Sequence, residues 1–311
     1  MAVERIARLS FTTADAARLA PFYVRAVGAE LAGVEERRDR SFGQLMGLEG
    51  MSARALALCI GAQTIELLEF STPGLPYPLE RSSNDPLFQH IAIVVADMQA
   101  AFEHLAACDG WMPITAPAPQ LLPPSSGGVR AFKFRDPEGH PLELLQFEPG
   151  REPPAWRAPS PRTPFLGIDH SAIVVANTAH SIEFYRGLLG LSISSSSLNQ
   201  GPEQERLDGL HGAVVEVTAL ATRSGVPPHL ELLCYRTPSP RRYHSPALSS
   251  NDIAATRLVL DVDDVGRTVE RLAALQVSFI GPAVVTRGDD SEAALLRDPD
   301  GHALLLRASH G

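Results

Sequence analysis

Four segments of this chain repeat one another, and that repetition limits the fold more than any other feature. RLSFTTADAARLAPFY from Arg8, HIAIVVADMQAAFEHL from His90, HSAIVVANTAHSIEFY from His170 and RLVLDVDDVGRTVERL from Arg257 recur about every 80 residues. Each opens on a short apolar or alternating run that reads as a strand. A residue suited to capping a helix follows, namely Asp97, Asn177 or Thr178, and Asp263 or Asp264 in the last three copies. Apolar residues at helical spacing come next; in the third copy Ile182, Tyr185 and Leu189 form the stripe predicted to be buried. Further strand-like runs complete each copy, at 191–197, 213–220 and 229–235 in the third. In the second and fourth copies the last two strands are joined by FRDPEGHPLELLQF and LLRDPDGHALLLR. Proline presets the second turn position and glycine accepts the left-handed one. Each copy is thus a β-α-β-β-β module, spanning about 3–80, 87–148, 165–236 and 254–308. One helix cannot cover both faces of a four-stranded sheet, so the modules must pair, giving an α+β fold.

A chain of 311 residues is expected to form two domains, here 1–148 and 165–311. The stretch EPGREPPAWRAPSPRTP holds six prolines and no periodicity, so 149–164 reads as a stiff linker. A second proline-rich stretch, 112–128, reads as a long loop beside a strand. The net charge of −9 offers no basic face, which argues against nucleic acid and anionic membranes as partners. The three cysteines, Cys59, Cys108 and Cys234, are scattered without a CxxC, which argues against a disulfide scaffold. No run approaches ~18 apolar residues, and MAVERIARLSFTTAD mixes acid and base where a leader needs an apolar core. These features predict a soluble, cytoplasmic protein of two domains.

Four such modules with DPxGH turns resemble the vicinal oxygen chelate superfamily, whose members include glyoxalase I, methylmalonyl-CoA epimerase, extradiol dioxygenases and bleomycin-resistance proteins. The resemblance implies that modules pair into cup-shaped mixed sheets, two in all. Each cup would hold a divalent metal on residues of the first and last strand of each module. Carried onto this chain, those positions are His90 and Glu143 in the second module, and His170 and Glu231 in the third. In the first they fall on Arg8 and Glu66, and in the fourth on Arg257 and Leu305. Pairing first with second and third with fourth leaves both sets broken. Pairing second with third assembles His90, Glu143, His170 and Glu231, whereas first with fourth retains only Glu66. The second-with-third cup is therefore favoured, formed within one chain or by module exchange in a homodimer.

Two imidazoles and two carboxylates without a thiolate suit Ni, Zn, Co, Mn or Fe, without choosing among them. The resemblance implies proton transfer beside a metal-bound carbonyl of a small-molecule substrate, as in a lyase or isomerase of glyoxalase or epimerase type, by a monomer or homodimer with Glu143 and Glu231 as candidate bases. An Fe(II) extradiol-type dioxygenase is the alternative, disfavoured by the second glutamate, and a non-catalytic resistance-type binding protein is another. A lone histidine opening a strand is more often structural, but a glutamate inside an apolar strand must be paired or face a cavity. His229, two residues before Glu231, shares its strand face and is a weak substrate contact. Gln204, Arg206 and His211 are weaker ones, in a stretch (198–217) that reads by default as a solvated loop. His140 and His302 lie in the DPxGH turns and are expected to be structural and exposed. Arg8 and Arg257 are expected to pair with Glu66 and fill a dead site.

Overall fold

A computed structural model describes residues 3–87, 89–157, 163–239, 248–287 and 291–309. Residues 158–162 of the expected linker, and 1–2 and 310–311 at the ends of the two expected domains, lie outside them.

The strands form two mixed sheets, and each sheet takes one module from either half of the sequence. In the inner sheet, modules two and three meet along their first strands, Gln89–Val95 and Phe165–Val174, which run antiparallel. Each is flanked on its other side by its module's last strand, Pro141–Gln146 or His229–Thr237, in parallel register. The outer sheet repeats this plan with modules one and four, joined through Val3–Thr13 and Thr256–Val262. The favoured pairing, second with third, is the one observed.

Helices Ala16–Val27, Met98–Ala106, Thr178–Ile182 and Val265–Ala274 lie behind the sheets. Asp15, Asp97, Asn177 and Asp264 each accept a backbone N–H three residues ahead, which satisfies a donor the helix leaves open. In the third module the helix continues in wider π turns over Glu183–Leu188; Tyr185 and Leu189 are buried and Ile182 packs at the edge. The helices and the convex faces of both sheets share one apolar core, reaching from Leu9 and Tyr23 to Ile93, Ile173 and Leu306. The concave faces are left for other uses.

The DPxGH turns fasten the cups together. His140 is fully buried, not exposed as the turn chemistry alone predicts; its Nδ1 meets Asp136 Oδ2 at 2.7 Å and its Nε2 the Thr12 carbonyl at 2.9 Å. Asp136 also accepts the Tyr23 hydroxyl at 2.9 Å. The fourth module repeats the device: His302 reaches the Val174 carbonyl at 2.7 Å, and Tyr185 donates to Asp298 at 2.8 Å. The aspartate and histidine that bound each turn are buried because the turn plugs into the strand end of the preceding module, in the other sheet. The structural role expected of both histidines stands; their exposure does not.

Candidate metal centre

Strand register brings the ligand positions together. Across the central strand pair His90 lies opposite Ala172, which neighbours Glu231. His170 lies opposite Ala92, which neighbours Glu143. Side chains two apart on a strand share a face, so all four project from the concave side around two buried alanines. A cavity of about 430 Å³ is lined by all four side chains, while the two alanines pack into small apolar clusters beside it. The outer cup has Ser10 and Val259 at the alanine positions and Leu305 in place of a carboxylate. Helix Arg40–Leu45 and apolar side chains including Phe70, Leu295 and Leu305 fill its hollow.

His90 Nε2 stands 2.9 Å from Glu143 Oε2, and the rings of His90 and His170 are 5.7 Å apart. His90, Glu143 and His170 each offer a ligand atom within 4.8 Å of the others. Glu231 borders this trio, with Oε2 3.5 Å from His170 Nε2. His229 sits beside it, Nε2 3.6 Å from Glu231 Oε1, and lines the cavity. Gln204 is buried at the cavity wall, donating to Asp208 at 2.8 Å. Arg206 points elsewhere, to Gln120, and His211 is fully exposed on Glu205; neither lines the cavity. The cause is a helix, Pro202–Asp208, where a solvated loop is the default reading. Its Gln204, Leu207 and Asp208 turn inward, and Arg206 therefore turns out.

Several lining groups escape the sequence reading. Lys133, cross-strand neighbour of Glu143, is buried with its ammonium 2.7 Å from Asp208, which also accepts the Tyr235 hydroxyl at 3.0 Å. Asp169 meets His170 Nδ1 at 3.0 Å. The 112–128 stretch does run beside a strand, Arg130–Arg135, as expected, and supplies Leu122, Ser126 and Gly127 to the wall.

The charges compensate one another within the protein. Burial lowers His170, but Glu231 and Asp169 outweigh it and hold the imidazole up at about 9. Burial would raise Glu231, yet His170 draws it down to about 2. Burial and the Lys133 charge keep His90 low; Glu143, despite burial, is lowered by Lys133 and His90. Two imidazoles and two carboxylates lining one cavity are a donor set that fits a divalent cation, and no cysteine lines it to favour a soft one.

In the outer cup, Arg8 and Arg37 hold Glu66 at 3.3 and 2.5 Å. Arg257 does not join them. It is fully buried and donates to the Ser250 carbonyl and the Thr12 hydroxyl, because Ser10, opposite it, already donates to Glu66.

The Glyoxalase/Bleomycin resistance protein/Dioxygenase superfamily profile matches residues 5–144 and again 167–306. The chain belongs to that superfamily. It is 31% identical, over 146 residues, to 2-epi-5-epi-valiolone epimerase of an Actinomyces species, a match covering 46% of this chain and 79% of that protein. Its fold resembles glyoxalase I of Zea mays, with a TM-score of 0.60 at 18% identity over 98% of this chain and 92% of that one. Among the described residues no helix is long and apolar enough to cross a membrane.

Proposed function

We propose that the inner cup is the active site of a divalent-metal-dependent isomerase or lyase that moves a proton beside a carbonyl of a small polar molecule. The observation that carries this reading is the convergence of His90, Glu143, His170 and Glu231 on one cavity from two modules. Bound by these four, a Ni, Zn, Co, Mn or Fe ion would act as a Lewis acid on the substrate carbonyl. The carboxylates of Glu143 and Glu231 are the groups able to take a proton from the adjacent carbon and return it. Glu231 is the more open, 21% exposed against 7% for Glu143, and stands beside His229 at the cavity side. Ser195, Ser197 and Asn199 line the opposite wall and offer hydrogen bonds to hydroxyl groups of a ligand. The epimerase relative supports the isomerase side of the proposal.

The test is isotope exchange. The metal-loaded protein, incubated in D2O with 2-epi-5-epi-valiolone and in parallel with a methylglyoxal–thiol hemithioacetal, is expected to introduce deuterium beside the carbonyl of at least one. Glu143→Gln and Glu231→Gln should each slow exchange by roughly 10²–10⁴-fold, the usual worth of a general base. Exchange that survives chelation, or that is indifferent to both substitutions, would sink the proposal.

One observation favours a second reading. His90, Glu143 and His170 form a tight two-histidine, one-carboxylate set, the donor pattern of Fe(II) oxygenases, with Glu231 to one side. Ring cleavage of catechols by the Fe(II)-loaded protein in air would establish it. The nearness of Glu231 to His170 favours the first.

A further inference from the structure

The geometry points to Asp169 as a positioning residue that fixes the ring of His170, itself braced by Trp156 of the connector between the second and third modules. This rests on the metal-site reading above. In a regular strand Asp169 and His170 would face opposite sides of the sheet. Here the pairing slips between Ile168 and His170: these two residues lie opposite the adjacent pair Ile93 and Ala92, leaving Asp169 as the extra residue of a bulge. The bulge lets Asp169 and His170 line the same cavity.

Asp169 is buried; each of its oxygens meets one hydrogen-bond partner, and His229 Nδ1 stands 3.7 Å from Oδ2 as well. Oδ2 stands 3.0 Å from His170 Nδ1, and Oδ1 accepts the Trp156 indole N–H at 2.7 Å. With Nδ1 turned to the carboxylate, Nε2 is the nitrogen left toward Glu231 and the cavity. A carboxylate on the far nitrogen of a metal-binding imidazole sets its tautomer and orientation and strengthens it as a ligand. Trp156 is itself buried against Gly167, where a Cβ would come within 2.8 Å of the indole ring and 2.3 Å of Gln63 Oε1. The connector thus reaches the metal centre through one indole and one carboxylate.

The outer cup supplies a comparison within the same chain. Its first strand slips at the equivalent place, between Ile6 and Arg8, so modules one and three share the bulge. The bulged residue there is Ala7, and the ligand position is Arg8. A carboxylate at the bulge accompanies the histidine and is missing where the histidine is missing.

The test uses the full chain and the variants Asp169→Ala, Trp156→Phe and His170→Ala, with Trp111→Phe added for assignment. Trp156→Phe keeps the packed ring and removes only the N–H donor. Co²⁺ titration followed by its visible absorption is expected to show affinity lowered about 10- to 100-fold in Asp169→Ala, with a smaller loss in Trp156→Phe. In Zn²⁺-loaded protein, ¹⁵N NMR should show His170 bound through Nε2 with the proton on Nδ1, and a mixed state in Asp169→Ala. In metal-free protein the Trp156 indole N–H, assigned with Trp111→Phe, should shift and exchange faster when Asp169 is removed. Co²⁺ affinity and the His170 tautomer both unchanged in Asp169→Ala and Trp156→Phe, while His170→Ala loses the ion, would overturn the proposal. Failure of the wild-type protein to take up either ion would instead count against the metal site itself. An Asp169→Ala indole signal identical to wild type would remove the Trp156 part on its own.

Discussion

Glu66 shows what a ligand position becomes when its cup is not kept for a ligand. It is 4% exposed, and although burial opposes its ionisation, Arg8, Arg37 and the Ser10 hydroxyl carry it from the ordinary 4.5 down to about 2. A carboxylate whose folded pKa is depressed contributes stability above its unfolded pKa and loses it as pH falls toward the folded one. That contribution, roughly 3 kcal/mol for a shift of this size, should be complete above pH 4.5 and vanish toward pH 2. Glu66→Gln should therefore be destabilised at pH 7, since the buried Arg37 and half-buried Arg8 guanidiniums lose their counter-charge, and should lose less stability than wild type between pH 4.5 and 2. Urea unfolding at successive pH values measures both; parallel wild-type and variant curves through that window would refute the account. The four inner positions, by contrast, were legible in the sequence because two HxA strand openings and two LELL strands repeat. Asp169 and Lys133 were not. An aspartate beside a histidine reads as pointing away from it unless the bulge is known, and Lys133 looks like an ordinary strand lysine until Glu143 is placed across from it.

At the scale of elements, the repeated turn joins what the sheets keep apart. Strand pairing ties module two to three and one to four, while His140 and His302 tie one to two and three to four. The four modules are therefore closed into a ring of contacts, and the repetition of the DPxGH motif follows from that interface, not from the turn alone. His140→Ala should cost about 2–4 kcal/mol, because Asp136 loses a buried ionic partner and Thr12 a donor. Tyr23→Phe, which removes one neutral donor from the same carboxylate, should cost less. Thermal unfolding of the two variants orders them; equal and small losses would mean that the turn merely fills space. The caps, the DPxGH turns and the four first strands could be read from local chemistry. The helix Pro202–Asp208 could not, because its inward face is only Gln204, Leu207 and Asp208, and two of those are polar groups bonded to each other and to Lys133 or Tyr235.

Viewed as a whole, the molecule has duplicated a cup and divided the labour. Both sheets share strand order, bulge position and helical backing, yet one concave face holds a cavity lined by four potential ligands and the other is packed with its own side chains. A cavity costs stability unless something occupies it, because its lining forgoes contacts. Concentrating the opening in one cup lets the other act as a packed support for the strands that carry the ligands. Gln63, on the outer sheet, does this directly: its Oε1 accepts the Ile168 N–H two residues before His170. This asymmetry makes a quantitative prediction for the metal reading. Protein prepared without an affinity tag and titrated calorimetrically with Ni²⁺ or Zn²⁺ should take up one ion per chain, not two, and His90→Ala should abolish that uptake. Saturation at 100 times Kd should stabilise the wild type by about 2.7 kcal/mol through mass action, and His90→Ala by none. Glu66→Gln, although less stable at pH 7, should keep the full stoichiometry and the full increment, since Glu66 is engaged by Arg8 and Arg37 beside a packed apolar cluster. A second equivalent bound by wild type and lost in Glu66→Gln would show that the outer cup still works as a site, and the division of labour would have to be abandoned.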